Sequence, residues 1–356
     1  MKKSLVALAL LGAFAGAQAQ SSVTIYGTVD AGVTKRTGTT AAIGKRDNNK
    51  LGFKGVEDLG SGLKALFQLE IRYEPDTGTL ESGTRPLFQG QSRVGLQGGF
   101  GTVRLGRGLT AFQESITAFE PWSGLPSVAG FQTDLQVAGY ATAFGSGSDP
   151  LGPAGNSGNR LSNALFYNTP VFNGFQLNAT VGSKENGGSA TALQGRNAVG
   201  TPAQYPIGAD ASANPYSLSG TFNNGPFAAM AAYERNAVET KLWSVAASVV
   251  PVTGLKLMAS YQKQDQEHTK PVNGETKSWI IGANYTTGPG KILAGYGQKT
   301  PDGVIKTKEI SLGYEYNLSA RSYLYVEASN RKQPAVGSAT VDTSVNFYGL
   351  GIHHNF

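Results

Sequence analysis

Six basic residues fall where the local periodicity turns them to one side of a strand: Lys50, Lys54, Arg72, Arg93, Arg104 and Arg160. Three acids, Glu114, Glu120 and Asp134, lie on the one long connection that separates Arg104 from Arg160. Fixed cations facing fixed anions across a narrow aqueous gap make and break no bonds. They sort solutes by sign, because low-dielectric walls focus the field of a charged ring. The same cations could instead balance neighbours such as Glu70 or lie near a rim, and the acids could belong to a solvated loop. Bond-making chemistry finds less support. His268 lies in a polar loop, and His353 and His354 are neighbours that a strand would point to opposite faces, so they cannot chelate one metal in the usual way. No GxSxG-like elbow frames a nucleophile, and Gly106-Arg107-Gly108 does not open a helix, so neither an enzyme nor a phosphate cradle is expected. No cofactor is implied.

The elements that must position these residues are short alternating segments. Val23 to Val33 (VTIYGTVDAGV) sets Val23, Ile25, Val29, Ala31 and Val33 against Thr24, Tyr26, Thr28 and Asp30. That is period two over about the length a tilted barrel strand needs to cross hydrocarbon. In LKALFQLEIRY, Leu63, Ala65, Phe67, Leu69 and Ile71 oppose Lys64, Leu66, Gln68, Glu70 and Arg72. Arg93 and Arg104 then fall on the polar sides of FQGQSRVGLQ and TVRLGR. The rhythm resumes at RLSNALFYNTP and continues to SVNFYGLGIHHNF, with turns such as NNGP, PVTG, TGPG and NLSA. The pattern gives sixteen strands, joined alternately by tight turns and by longer polar loops. An even count with that loop asymmetry predicts an all-β, 16-stranded antiparallel transmembrane β-barrel rather than a soluble sandwich.

The connection from Thr110 to Gly158 breaks the rhythm. It mixes aromatics, prolines and glycines, and a structureless connection this long tends to be functional. The expectation is that it folds into the lumen and narrows it, its acids facing the basic wall.

Residues 1–19 read as a signal peptide: a Lys2-Lys3 charged start, an apolar run from Leu5 to Ala15 and a small-x-small site at Ala17-Gln18-Ala19. The apolar run is shorter than the roughly 20 residues a spanning helix needs. The barrel domain is then 20–356. Removing Lys2 and Lys3 leaves 28 cations against 24 acids, a formal charge of +4, without the concentrated basic stripe of a nucleic-acid binder. Forty-eight glycines, sixteen prolines and no cysteine fit an exported turn-rich chain without a disulfide framework. A mean hydropathy of −0.21 does not argue for solubility, since lumen-facing and lipid-facing residues average out.

In hydrocarbon an open sheet edge would leave backbone groups unpaired, so the last strand must close on the first. Tyr348, Leu350, Ile352 and Phe356 share one parity and end the chain on an aromatic, a pattern that resembles the signal directing barrel proteins to their assembly machinery. Tyr26, Trp243, Trp279, Tyr285, Tyr316 and Tyr325 fall near strand ends, where membrane–water girdles are expected.

The stretches AQAQSSVTIYG (17–27), LGFKGVEDLGSGLKALFQLE (51–70), VGLQGGFGTVRLGR (94–107), NALFYNTPVFNGF (163–175) and the terminal GIHHNF together resemble the general diffusion porins of β-proteobacteria. The likeness covers essentially the whole chain after its leader. It implies a trimeric barrel of the Gram-negative outer membrane with its third loop in the pore, surrounded by outer-membrane lipids and passing small ions and solutes with weak anion preference. By position, Lys50 stands where such porins often have an arginine before LGF, and Arg160 at the arginine opening the strand after loop three. Gly90 stands where many have another arginine, with Arg93 three residues later. A solute-specific anion channel, for phosphate or small organic anions, is the alternative; an adhesive barrel would have a plugged lumen.

Overall fold

Period-two alternation becomes sixteen long antiparallel strands in the computed structural model, which describes residues 22–81, 87–132, 135–136, 160–183, 195–196, 202–203, 214–236, 240–265, 274–336 and 338–356. In chain order they are β1 (Ser22–Arg36), β2 (Lys50–Gly60), β3 (Leu63–Arg72), β4 (Gln91–Gly98), β5 (Gly101–Leu109), β6 (Arg160–Asn168), β7 (Phe175–Gly182) and β8 (Tyr216–Asn224). There follow β9 (Phe227–Arg235), β10 (Lys241–Val252), β11 (Leu255–Asp265), β12 (Glu275–Thr287), β13 (Gly290–Pro301), β14 (Thr307–Asn317), β15 (Ser322–Pro334) and β16 (Asp342–Asn355). Each strand pairs with its sequence neighbours, and β1 also pairs with β16, from Thr28↔Asn355 to Arg36↔Phe347, closing the barrel. A three-residue strand, Ala42–Gly44, adds to β1 beyond the point where β2 leaves it. Gly195–Arg196 pairs with Pro202–Ala203. The leader, residues 1–19, lies outside the described residues.

Short turns join the strands at one end and longer connections at the other, hereafter the turn end and the loop end. The first reversal, Gly60-Ser61-Gly62, is tight enough to put all three residues at positive φ, where glycine costs least.

The two faces of the wall are chemically distinct. Val23 is 65% exposed and Ile25 59%, whereas Thr28 and Asp30 of the same strand are fully buried. Trp243, Trp279, Tyr285 and Tyr316 lie on the exposed apolar face, as expected. Tyr325 and Tyr26 do not: the Tyr325 hydroxyl donates to Asp30 Oδ1 at 2.9 Å and the Tyr26 hydroxyl to Glu70 Oε2 at 3.1 Å, both on the inner face. Strand parity, not distance from a strand end, decides which way a ring points.

Closure brings the chain ends together. Gly27 and Phe356 exchange backbone hydrogen bonds of 3.1 and 3.2 Å. A Cβ on Gly27 would lie 2.3 Å from the Lys50 carbonyl oxygen and 2.4 Å from the Phe356 ring, so only glycine fits beneath the terminal aromatic. Tyr348, Leu350 and Ile352 lie on the exposed apolar face beside it.

The connection after β5 is not structureless. Thr110 caps a six-residue helix, α1 (Ala111–Ile116), its hydroxyl accepting from the Gln113 N–H at 3.2 Å, and a 3-10 turn (Thr117–Phe119) follows. A helix this short is unstable alone. It is held by Phe112, Ile116 and Phe119, which pack on Met230, Leu242 and Ala246 from the face of β9 and β10 opposite the exposed apolar one. Farther along, Trp122, Phe131 and Leu135 pack on Ile280, Leu293 and Phe347. Small residues make the room: a Cβ on Gly282 would fall 2.3 Å from Pro121, on Gly295 2.5 Å from Phe131, and on Gly297 2.6 Å from Leu135.

Candidate functional site

Five neighbouring strands, β2 to β6, carry the basic residues singled out by the sequence. Lys50 stands opposite Arg72, and Gln68 stands opposite both Lys54 and Arg93. Arg93 donates through Nε and Nη2 to Gln68 Oε1, at 3.2 and 3.1 Å. Its Nη1 lies 3.0 Å from Glu114 Oε1, and Arg104 Nη2 lies 3.5 Å from Glu114 Oε2 while also donating to Asn168 Oδ1. The Phe166 ring sits 5.7 Å from the Arg93 guanidinium and 6.0 Å from that of Arg104, within cation–π range. Lys54 is exposed, its ammonium 5.3 Å from the Tyr26 ring. The Lys50 ammonium is 4.0 Å from Asp47, and Arg72 Nε is 3.6 Å from Glu70. Lys54, Gln68, Arg93 and Arg104 line a common cavity of about 250 Å³.

Helix α1 delivers the opposing acid. Its first backbone N–H groups, free of intrahelical partners, donate to the wall: Ala111 to Thr180 Oγ1 at 3.1 Å and Phe112 to Ser217 Oγ at 2.9 Å. Ser115 and Ser219 share a hydroxyl contact of 2.8 Å. These bonds fix the helix rotation, so that Glu114 meets Arg93 and Arg104. On its other side Glu114 borders a polar cavity of about 310 Å³, lined also by Asn168, Gln176, Asn178 and Lys256.

Two residues sit differently from the sequence expectation. Arg160 is 5% exposed, and its Nε donates to the Gly90 carbonyl at 2.7 Å. A Cβ at Gly90 would lie 2.2 Å from Glu70 Oε1, so a larger residue there would displace the Glu70 side chain. Glu120 is fully buried, its carboxylate accepting from the backbone N–H groups of Trp122, at 2.9 Å, and Gly124. Burial pushes its pKa up to about 7, against the lowering effect of those two bonds. It shapes the connection from within. Asp134 lies outside the described residues.

Sequence reasoning missed a second charged cluster. Arg46, on the connection between β1 and β2, is 2% exposed and pairs with Glu315 through Nη2 and with Glu327 at 3.4 Å through Nε. Burial alone would lower the Arg46 pKa; the negative charge of Glu315 and Glu327 overrides it and raises the group above its ordinary value. Glu327 also accepts from Trp122 Nε1 at 2.8 Å and from the Ser127 hydroxyl, tying the connection after α1 to β15. Asp30 completes the cluster, taking the Arg46 backbone N–H at 2.6 Å and lying 3.0 Å from His353 Nδ1. Strand parity is the signal that could have set Glu315 on β14 and Glu327 on β15 inward, but no periodicity places a loop residue such as Arg46.

A closed antiparallel wall with an apolar exterior and a charged, polar interior defines a membrane-spanning β-barrel of the outer-membrane class. Residues 7–334 match the family described as Gram-negative porin, and the chain belongs to it. It is 32% identical to outer membrane porin protein 32 of Delftia acidovorans over 349 residues, 91% of this chain and 88% of that protein. Its fold matches an anion-selective porin from Comamonas acidovorans with a TM-score of 0.76 at 25% identity, covering 95% of this chain and all of the other. OmpT of Vibrio cholerae in a trimer form matches with a TM-score of 0.60 at 14% identity, covering 94% and 99%, a likeness of fold alone. The protein is therefore a multi-pass barrel of the Gram-negative outer membrane and a diffusion channel.

Proposed function

We propose that the channel passes small ions and hydrophilic solutes with a weak preference for anions, and that the connection beginning at Thr110 crosses the lumen and sets its narrowest point. One observation carries the charge preference. Lys50, Lys54, Arg93 and Arg104 gather on one stretch of wall, while Glu114 is the acid that α1 sets against Arg93 and Arg104. An excess of fixed positive charge in a confined aqueous space favours anions. The contacts of Phe112, Trp122, Phe131 and Leu135 with inner-face residues support the lumen position. The anion-selective relative from Comamonas acidovorans favours the same reading.

Three further assignments belong to this proposal. Residues 1–19 direct export and are removed. The exposed row Tyr348, Leu350 and Ile352, ending in Phe356, is the segment that the barrel-assembly machinery reads. The working unit is a homotrimer, as in the trimer form of the Vibrio protein.

The test is a reversal potential in planar bilayers under a potassium chloride gradient. Anion sign at low salt, shrinking as ionic strength rises, is expected; cation sign refutes the charge assignment. Current block saturating with phosphate or a small organic anion would move the protein to the solute-specific reading.

A further inference from the structure

The outer surface carries a charge pattern that transport does not use. Arg235, Lys241, Lys263, Lys277, Lys308 and Lys332 share the outward parity of β9, β10, β11, β12, β14 and β15, each within two residues of the loop end. Register sets them directly opposite one another as like charges: Arg235↔Lys241, Lys263↔Lys277 and Lys308↔Lys332. Like charges in cross-strand register destabilise a sheet. Two acids temper the row. Asp265 lies 3.7 Å from the Lys241 ammonium, and Glu275 pairs with Lys263 and lies 3.5 Å from Lys277. Lys308 and Lys332 have no acidic partner among the described residues. Six cations against two acids leave a surplus of four.

Position identifies what lies against them. Just toward the middle of the barrel run Tyr233, Trp243, Tyr261, Trp279 and Tyr296, with Trp243 and Tyr261 rings 5.3 Å apart and Trp279 and Tyr296 5.5 Å apart. Such a row marks the boundary between hydrocarbon and headgroups. The cations therefore stand at headgroup level, and on the side of the longer loops, which is the cell exterior in outer-membrane barrels. At the turn end of the same strands the outward positions are uncharged: Phe227, Val249, Leu257, Tyr285, Tyr316 and Leu324.

We propose that this belt docks the phosphorylated headgroups of glycolipid in the outer leaflet. A phosphate seated between two opposed ammonium groups turns their repulsion into two charge-assisted contacts. The acyl chains then lie along the apolar face below the aromatic row. The proposal rests on the outer-membrane barrel and not on ion selectivity.

The test titrates the full-length purified barrel in detergent with a bis-phosphorylated lipid A and, separately, with the same lipid after phosphatase treatment, with binding followed by native mass spectrometry. The dephosphorylated lipid is expected to bind about tenfold more weakly, equivalent to about 1.4 kcal/mol. The double variant Lys308→Gln, Lys332→Gln should lose a similar factor for the phosphorylated lipid only. Lys64→Gln, at the turn end, should lose nothing. Equal binding of the two lipids, or an unaffected double variant, overturns the proposal. Unchanged single-channel conductance in the double variant keeps that failure separate from any failure of the channel reading.

Discussion

Replacing Glu114 by Gln removes the acid that bridges Arg93 and Arg104, without removing volume. The carboxylate side chain retains 25% of its accessible surface, so water screens it and a water-like dielectric is the right choice. At about 8 Å from a passing ion and a dielectric of about 80, one unit charge contributes ~0.5 kcal/mol. The change lowers the barrier for an anion and raises it for a cation, so the difference is ~1 kcal/mol, or about fivefold in permeability ratio. With an interior dielectric of about 20 the same charge would give ~2 kcal/mol and a ratio change of roughly a thousandfold, so the size of the shift reports how wet the site is. The measurement is a reversal potential at about 0.01 M salt, where the screening length is about 30 Å, repeated at about 1 M, where it is about 3 Å. The anion-to-cation ratio should rise about fivefold at low salt and barely move at high salt. A ratio that is unchanged or falls at low salt would show that Glu114 does not face the ion path, and the site assignment would fail with it.

Gly282→Ala tests the proposed lumen segment without touching a charge. The new Cβ would lie 2.3 Å from Pro121 Cγ, against the roughly 3.5 Å of a normal contact, pushing the segment inward by about 1 Å. Conductance should fall while selectivity holds; unchanged conductance would mean the segment does not limit flow. Trp122→Ala deletes a side chain that is 1% exposed, together with its bond to Glu327, at a local cost of about 3–5 kcal/mol. Added protease should then nick the segment in an otherwise intact barrel, and resistance equal to wild type would count against the tether. Glu120 carries a pH signature. With its folded pKa near 7, above the ordinary 4.5, its contribution to stability is fully present below about pH 4.5 and is lost as pH rises through about 7. Glu120→Gln should flatten the dependence of thermal unfolding on pH across that window, and an identical pH profile in both proteins would refute the buried-acid reading.

Much of the wall was legible in the sequence, because a sheet wetted on one face and greasy on the other must alternate. Val23, Ile25, Phe67 and Leu350 stand outward as their parity demands. The alternation also carried the inward setting of Arg93 and Arg104. What the pattern could not supply was the filling. Met230, Leu242, Ile280, Leu293 and Phe347 are apolar at inward positions, and they are the wall's half of the contact with α1 and Trp122. As exceptions to a polar interior they were a readable sign that something apolar packs there. Thr110 and Gln113, spaced as a helix cap, were a second sign, hidden by the prolines and glycines that follow. Glu120 and Arg46 had no such marker. Their burial depends on which backbone N–H groups and carboxylates the folded loops bring near, and loops have no period. Arg160 shows what position alone leaves out: it opens its strand where expected, but the burial of its guanidinium and the bond from its Nε to the Gly90 carbonyl depend on the neighbouring chain.

The hydrogen bonds between Gly27 and Phe356 join residues from opposite extremes of the polypeptide. Contacts so far apart along a chain are the slowest to form, since the intervening segment must be ordered first. The cylinder stays open until β16 is in place, and until then β1 exposes a row of donors and acceptors from Thr28 to Arg36. The register from Thr28↔Asn355 to Arg36↔Phe347 carries the seam, and the two Gly27–Phe356 bonds lengthen it by one further residue.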